Sequence, residues 1–146
     1  MHPTADLRRL TSLERLLGEF WEIMKAAMEP PLFEGADPLE LEERLIKADT
    51  GLAAAEGCVN AMARVWPEGQ DIYDRFLLAI SELSNRRQFA EAFALLMSLD
   101  IPQSELMPRY KLIMSKNRET LMIAGTYMEE AADILFQQTG IRLSTE

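Results

Sequence analysis

The chain carries one histidine, His2, and one cysteine, Cys58, in 146 residues. That scarcity closes off much of side-chain chemistry. Without a helical histidine there is no axial haem ligand, no Glu-x-x-His pair for a di-iron bundle and no phosphotransfer histidine. Ser-His and Cys-His nucleophile systems are excluded in the same way, as is a zinc site of Cys and His within one chain. A lone cysteine cannot form an internal disulfide, which suits a reducing compartment. Cys58 follows Gly57 in an Ala-rich stretch and reads as a small buried residue. The glycines do not gather into a phosphate-binding loop. No apolar run reaches membrane-spanning length. Met1 to Asp6 lacks the basic start and apolar core of a signal peptide, so the expected location is cytoplasmic.

Basic residues are also in deficit, 15 against 24 acidic ones, for a net charge of −9. Such a chain repels nucleic acid and anionic membranes, and neither is an expected partner. What is present is a core. The chain is 48% hydrophobic and 27% charged, which predicts a folded single domain over residues 1–146.

The apolar residues recur at helical spacing throughout. The longest series is Met107, Tyr110, Met114, Asn117, Leu121, Ala124, Met128, Ala131, Leu135 and Gln138, in alternating steps of three and four. This is the spacing of a helix packed along its whole length against others. Gly140 stands where a left-handed C-cap is expected, and the tail Ile141-Arg142-Leu143 is expected to fold back over that end. Leu10, Leu13, Leu17, Phe20, Met24 and Ala27 form a first helix, entered after Thr4 and ended at Glu29-Pro30-Pro31. Leu32 and Phe33 then offer apolar cover for one end of the core.

Asp37-Pro38-Leu39-Glu40 is a helix start: N-cap Asp, Pro at the first helical position, Glu at N3. Leu41, Leu45, Ala48, Leu52, Ala55, Val59, Met62 and Trp66 follow on one stripe. Gly51 and Gly57 lie in this second helix and suggest close approach of a neighbour. After Pro67-Glu68-Gly69, a third helix carries Ile72, Phe76, Ala79 and Leu83. Its stripe lapses at Ser84 to Gln88 and resumes in phase at Ala90, Phe93 and Met97. Asn85 with Gln88 resembles a fresh capping box. Strand alternation and solenoid repeats are absent. The expected fold is all-α: an antiparallel up-down four-helix bundle, its third helix kinked or split near Ser84–Arg86. The first helix is the shortest, so parts of the longer ones are free to project and meet another subunit.

Counting along the helices from each connection places a polar layer at half height. Asp49, Thr50 and Gly51 fall level with Ser84 to Arg87, and Arg86 falls level with Asn117. Thr50 falls level with Leu16 to Gly18, near Glu14. Asp49, Arg86 and Asn117 thus form either a layer that fixes register, with Asp49 or Glu14 pairing Arg86, or the floor of a ligand site. Arg109, Lys111, Lys116 and Arg118 form a basic cluster suited to docking an acidic partner, or to balancing acids such as Glu42, Glu43 and Glu82.

Glu129-Glu130-Ala131-Ala132-Asp133-Ile134-Leu135-Phe136 resembles the second acidic motif of the all-α nucleoside triphosphate pyrophosphatases of the MazG type. In that family, Glu-x-x-Asp on one helix joins an earlier Glu-Glu-x-x-Glu in holding magnesium against the substrate phosphates. Glu130 and Asp133 match the Glu-x-x-Asp part, and Leu135-Phe136 its apolar continuation. The resemblance implies a magnesium-dependent pyrophosphatase using Glu130 and Asp133 with Glu42 or Glu43. The earlier motif is not met, because Glu42-Glu43 is followed by Leu45-Ile46 and stands further upstream. A solvated acidic face beside a packed seam accounts for the same residues.

The leading expectation is therefore a non-enzymatic helical interaction protein, without cofactor or metal, acting as an adaptor, chaperone or regulatory partner and associating as a homodimer. The pyrophosphatase and a small-ligand sensor using the polar layer are the alternatives.

Overall fold

In the computed structural model, residues 3–29 and 37–143 are described. They form α1 (Pro3–Ala27), α2 (Pro38–Val65), a 3-10 turn (Pro67–Gly69), α3 (Gln70–Ser84), α4 (Arg86–Ser98) and α5 (Gln103–Thr139). The chain is all-α, with no strand among the described residues. None of their helices is long and apolar enough to cross a membrane. His2 and the expected cover by Leu32 and Phe33 lie outside the described residues.

The helix ends follow local chemistry. Asp37 has the extended backbone of an N-cap, and its side chain accepts from the Glu40 N–H at 2.8 Å. Gly140 closes α5 with φ of 78°, a conformation open to glycine, and its N–H returns to the Phe136 carbonyl. At the start of α5 the helix begins at Gln103, so Pro108 lies inside it. At the start of α1 the helix takes in Pro3 and Thr4.

The boundary between α3 and α4 is one residue wide. Asn85 keeps helical angles, φ −65° and ψ −19°, which support no kink. The capping box expected at Asn85 does not form, since its side chain makes no capping bond. A capping side chain works from extended backbone, which Asn85 does not adopt. Both α3 and α4 lie against α2 and against α5, and they touch each other little.

Two cores result. The larger is built by four elements: Leu13, Leu17, Phe20 and Met24 of α1; Leu52, Ala55, Val59 and Met62 of α2; Ile72, Phe76 and Ala79 of α3; and Ala124, Met128, Ala131 and Leu135 of α5. The Phe20 and Phe76 rings meet at 4.4 Å between centroids. Leu143 is buried in this core, as the folded-back tail predicts. The smaller core holds Leu41, Ala90 and Phe93, with Leu45, Phe89, Tyr110, Ile113 and Met114 partly buried around it. Among the described residues it draws on α2, α4 and α5. The seam of α5 is accordingly uneven: Asn117, Ala124, Met128, Ala131 and Leu135 are buried, Tyr110, Met114 and Leu121 are half-buried, and Met107 and Gln138 are exposed. Among the described residues α1 accompanies only the larger core, so the first part of α5 packs less deeply, against α2 and α4.

The register of α1 explains this. At one end of the fold, Arg9 donates from Nε to the Val65 carbonyl at 3.1 Å, pairs with Glu68 and stacks on Trp66. Further along, a Cβ on Gly51 would meet Ile23 at 3.9 Å. Ala27 thus reaches only to the level of Lys47, and roughly 14 Å of α2 extends beyond it. The expected level of Thr50 with Leu16 to Gly18 is corrected by about two helical turns. Counting outward from Phe33 assumed two helices of equal reach, and α1 stops short of where α2 begins.

Candidate functional site

Where α1 ends, the polar layer forms between the two cores. Arg86 opens α4 and is 5% exposed, while Asn117 in the middle of α5 is fully buried. Arg86 Nε donates to Asn117 Oδ1 at 2.9 Å, and Nη1 donates to the Ala27 carbonyl at 2.5 Å. That carbonyl belongs to the last turn of α1, where unpaired carbonyls concentrate partial negative charge. One guanidinium therefore ties together three helices. Burial alone pulls the Arg86 pKa below its ordinary value. No ion pair reaches the guanidinium among the described residues, and its Nη2 and the Asn117 Nδ2 are buried donors without acceptors.

Asp49 takes a different partner. Its carboxylate accepts from Arg87 Nη1 at 2.8 Å, and Arg87 also meets Glu91 at 3.2 Å. The expected pairing of Asp49 or Glu14 with Arg86 is thus corrected: Arg87 points to the half-exposed side where Asp49 stands, and Glu14 is an exposed residue of α1 two turns or more away. Asp49, Arg86 and Asn117 do occupy one level, with the charged pair outside and the neutral bond inside.

Beside this layer lies a half-open cavity of about 650 Å³ between α1, α2 and the α3–α4 boundary. Ile23, Ala26, Ala48, Leu52 and Leu83 give it apolar walls, Arg86, Arg87, Asp49 and Thr50 give it polar ones, and the exposed Glu29, Arg44 and Lys47 also border it. It exists because α1 ends early while α2 continues. Sequence reasoning identified Arg86 but missed Ile23, Leu83 and the Ala27 carbonyl. A backbone acceptor leaves no mark in a sequence, and the cavity follows from the α1 register, which side-chain periodicity does not specify.

The other expected sites fare differently. Arg109, Lys111, Lys116 and Arg118 are all exposed. At about 100° per residue, Arg109 and Lys116 share one flank of α5 while Lys111 and Arg118 share the other, so they do not form a single cluster. Lys116 approaches Glu119 at 4.0 Å on its own helix. Glu130 is held 3.5 Å from Arg75 Nε. Asp133 is exposed near Phe136 and Arg142. Glu42 and Glu43 lie beside the smaller core and Glu130 beside the larger, roughly 30 Å apart along the helices, too far to share a magnesium ion. Among the described residues no group of three His, Cys, Asp or Glu could hold a metal ion.

Cys58 is half-buried, and burial followed by the nearby Glu19 carboxylate raises its pKa, the opposite of an activated thiol. Comparison of the chain with known protein families, with curated proteins and with solved structures finds no match.

Proposed function

We propose that the protein is a non-enzymatic small-ligand sensor, built on an antiparallel up-down four-helix bundle in which α3 and α4 act as one leg. Its working site is the cavity beside Arg86. The bundle reading is supported by cross-helix pairs that recede in step from each turn. Tyr73 meets the Met62 carbonyl near the α2–α3 turn, and Asp49 meets Arg87 further out. Arg86 meets Asn117, and Arg75 meets Glu130, between the third leg and α5.

One observation carries the ligand reading: a buried guanidinium without a carboxylate partner lines a cavity of about 650 Å³. That volume lies in the range of small-molecule sites, which combine apolar walls with a few placed polar groups. A library of small organic acids, amines and neutral compounds, followed by methyl NMR of the whole protein, tests it. Shifts concentrated at the Ile23, Leu52 and Leu83 methyls are expected with at least one compound. If no compound moves these methyls, the reading fails.

A second reading, a homodimer or other protein complex in the cytoplasm, is favoured by a separate observation. Leu95, Met97, Leu99, Met107 and Leu112 are exposed at the end of α4 and the start of α5. Apolar side chains gathered at one end of a helical fold suit contact with a second copy. Sedimentation equilibrium of the protein and of Leu95→Glu and Leu112→Glu tests this. Loss of a dimer in both variants supports it, and a monomer throughout overturns it.

A further inference from the structure

We infer that the groove continuing the path of α1 across the smaller core receives an acidic amphipathic helix from a partner protein. This goes beyond the ligand reading above and requires no ligand in the cavity. Among the described residues, α1 fills the path between α2 and α5 along the larger core only, and its last turn stops at Arg86.

Two glycines mark the flank of each helix that faces α1. A Cβ on Gly51 of α2 would meet Ile23 at 3.9 Å, and one on Gly125 of α5 would meet the Met28 methyl at 3.7 Å. At about 100° per residue, positions four, seven, eleven or fourteen away return to within about 40° of the same direction. Beyond the end of α1, the Gly51 flank therefore carries Lys47 and Arg44, and the Gly125 flank carries Arg118, Met114 and Lys111. All four cations are exposed. Between these edges the floor is apolar. Ala48, Tyr110 and Met114 are half-buried there, with Leu41 and Phe93 buried beneath them.

Charge selects the occupant. Basic edges are unusual in a chain of net charge −9. On these flanks the described carboxylates are Asp37 and Glu40, at the far end where α2 begins, and Asp37 already caps the Glu40 N–H. Glu29 stands at the near end, past the last turn of α1. Among the described residues no ion pair reaches Lys47, Lys111 or Arg118, whereas Lys116 on the opposite flank of α5 meets Glu119 at 4.0 Å. Cations on both sides of an apolar floor suit a helix with one apolar stripe between two rows of carboxylates. The path itself accommodates a helix, since α1 buries Leu13, Leu17, Phe20 and Met24 along its other part.

The test uses the whole protein and a stapled helical peptide of about 14 residues, which spans the roughly 21 Å from Gly125 to Lys111. The peptide carries leucine in alternating steps of three and four, with glutamate on both flanks of that stripe. A second peptide has lysine in place of every glutamate. Fluorescence anisotropy and methyl NMR are the readouts. The glutamate peptide is expected to bind at least about tenfold more tightly than the lysine peptide, shifting the Ala48 and Met114 methyls and weakening as salt rises. Lys47→Glu, Lys111→Glu and Arg118→Glu should each weaken it about three- to tenfold. Arg109→Glu and Lys116→Glu, on the opposite flank of α5, should change it by less than about twofold. All five sites are exposed, and circular dichroism checks that each variant folds. Equal binding of the two peptides, or equal losses from the two flanks of α5, overturns the inference. If the glutamate peptide binds only after Leu32 and Phe33 are replaced by serine, the chain's own connection is the occupant and the inference falls. If the protein alone is a dimer that Lys111→Glu dissociates, a second copy is the occupant, with the same consequence. No binding of the glutamate peptide to any of these proteins also overturns it.

Discussion

Arg86 of α4 and Asn117 of α5 meet in a hydrogen bond of 2.9 Å between two buried side chains, 31 residues apart in the chain. The bond lies between two apolar cores, and each partner still holds a donor without an acceptor. It therefore specifies which level of α4 faces which level of α5 more than it stabilises the fold. An offset of either helix would bury both polar groups in hydrocarbon, where an unpaired group costs about 1–3 kcal/mol and a charged one more.

This asymmetry gives a double-mutant prediction. Asn117→Leu leaves Arg86 Nε buried without its acceptor, and Arg86→Leu leaves the Asn117 amide alone. Each single variant is expected to lose about 2–4 kcal/mol in urea unfolding. The double variant should lose less than the sum of the two, and can exceed either single variant in stability, because no buried polar group is then orphaned. Additive losses would show that the pair is not coupled.

A second prediction concerns space at the α2–α3 turn. Gly69 has φ of −93°, which any residue adopts, so conformation does not require glycine there. The Tyr73 ring does: a Cβ on Gly69 would come within 2.9 Å of Tyr73 Cζ. The ring cannot swing aside freely, because Tyr73 Oη donates to the Trp66 carbonyl at 2.6 Å, with the Met62 carbonyl 3.2 Å away. Gly69→Ala is expected to destabilise by about 1–3 kcal/mol through overpacking. In a Tyr73→Leu background the same change should be nearly neutral. Thermal unfolding of the four proteins measures the difference.

The same end of the fold predicts a pH response of two opposite signs. The hydrogen bond from Arg9 holds the Glu68 carboxyl below its usual range. Its contribution is present above about pH 4.3, the ordinary glutamate value, and is lost as pH falls through the lower folded value. Burial, then the Glu68 carboxylate, pushes Tyr73 up to about 12. The protonated phenol is thus favoured by folding. Its stabilisation is present below about pH 10 and declines as pH rises toward that folded value. Glu68→Gln should differ from the unaltered protein at neutral pH and converge with it in acid. Tyr73→Phe should be less stable at neutral pH and close the gap in alkali. Melting curves across pH test both, and parallel profiles for all three proteins would refute the linkage.

Much of this arrangement is legible in the sequence, and the parts that are not share a cause. Periodicity identifies Leu13, Phe20, Val59, Phe76 and Leu135 as core, and all are buried. Counting along α3, α4 and α5 places Arg86 opposite Asn117 because the short Asp100-Ile101-Pro102 connection leaves little freedom of register. The cavity escapes such counting. It depends on how far α1 reaches along α2, and the chain between them is long enough to permit several offsets. The choice of Arg87 over Arg86 by Asp49 depends on which of two adjacent arginines turns inward, a matter of about 100° around the helix. No side-chain pattern encodes the Ala27 carbonyl as an acceptor. The resemblance at Glu130 and Asp133 rests on spacing within one helix and says nothing of the roughly 30 Å that separates them from Glu42 and Glu43.

The glycines of α1 and α2 give a last prediction, and a correction. Gly51 and Gly57 suggest close approach of a neighbouring helix, but only Gly51 has one, at the ordinary contact distance of 3.9 Å from Ile23. At Gly57 and at Gly18 a Cβ would meet nothing within 4 Å, and both residues are exposed within helices. Neither glycine is required by packing or by positive φ, which among the described residues occurs only at Gly140. A helical glycine replaced by alanine at such a site gains about 0.5–1 kcal/mol, mostly by restricting the unfolded chain. Gly18→Ala and Gly57→Ala are each expected to raise the midpoint of urea unfolding, and their effects should add, since the two sites share no partner. Gly51→Ala should fall near neutral, with the helix gain set against contact with Ile23. A loss of stability at Gly18 or Gly57 would mean that a surface left open in the monomer is covered in solution.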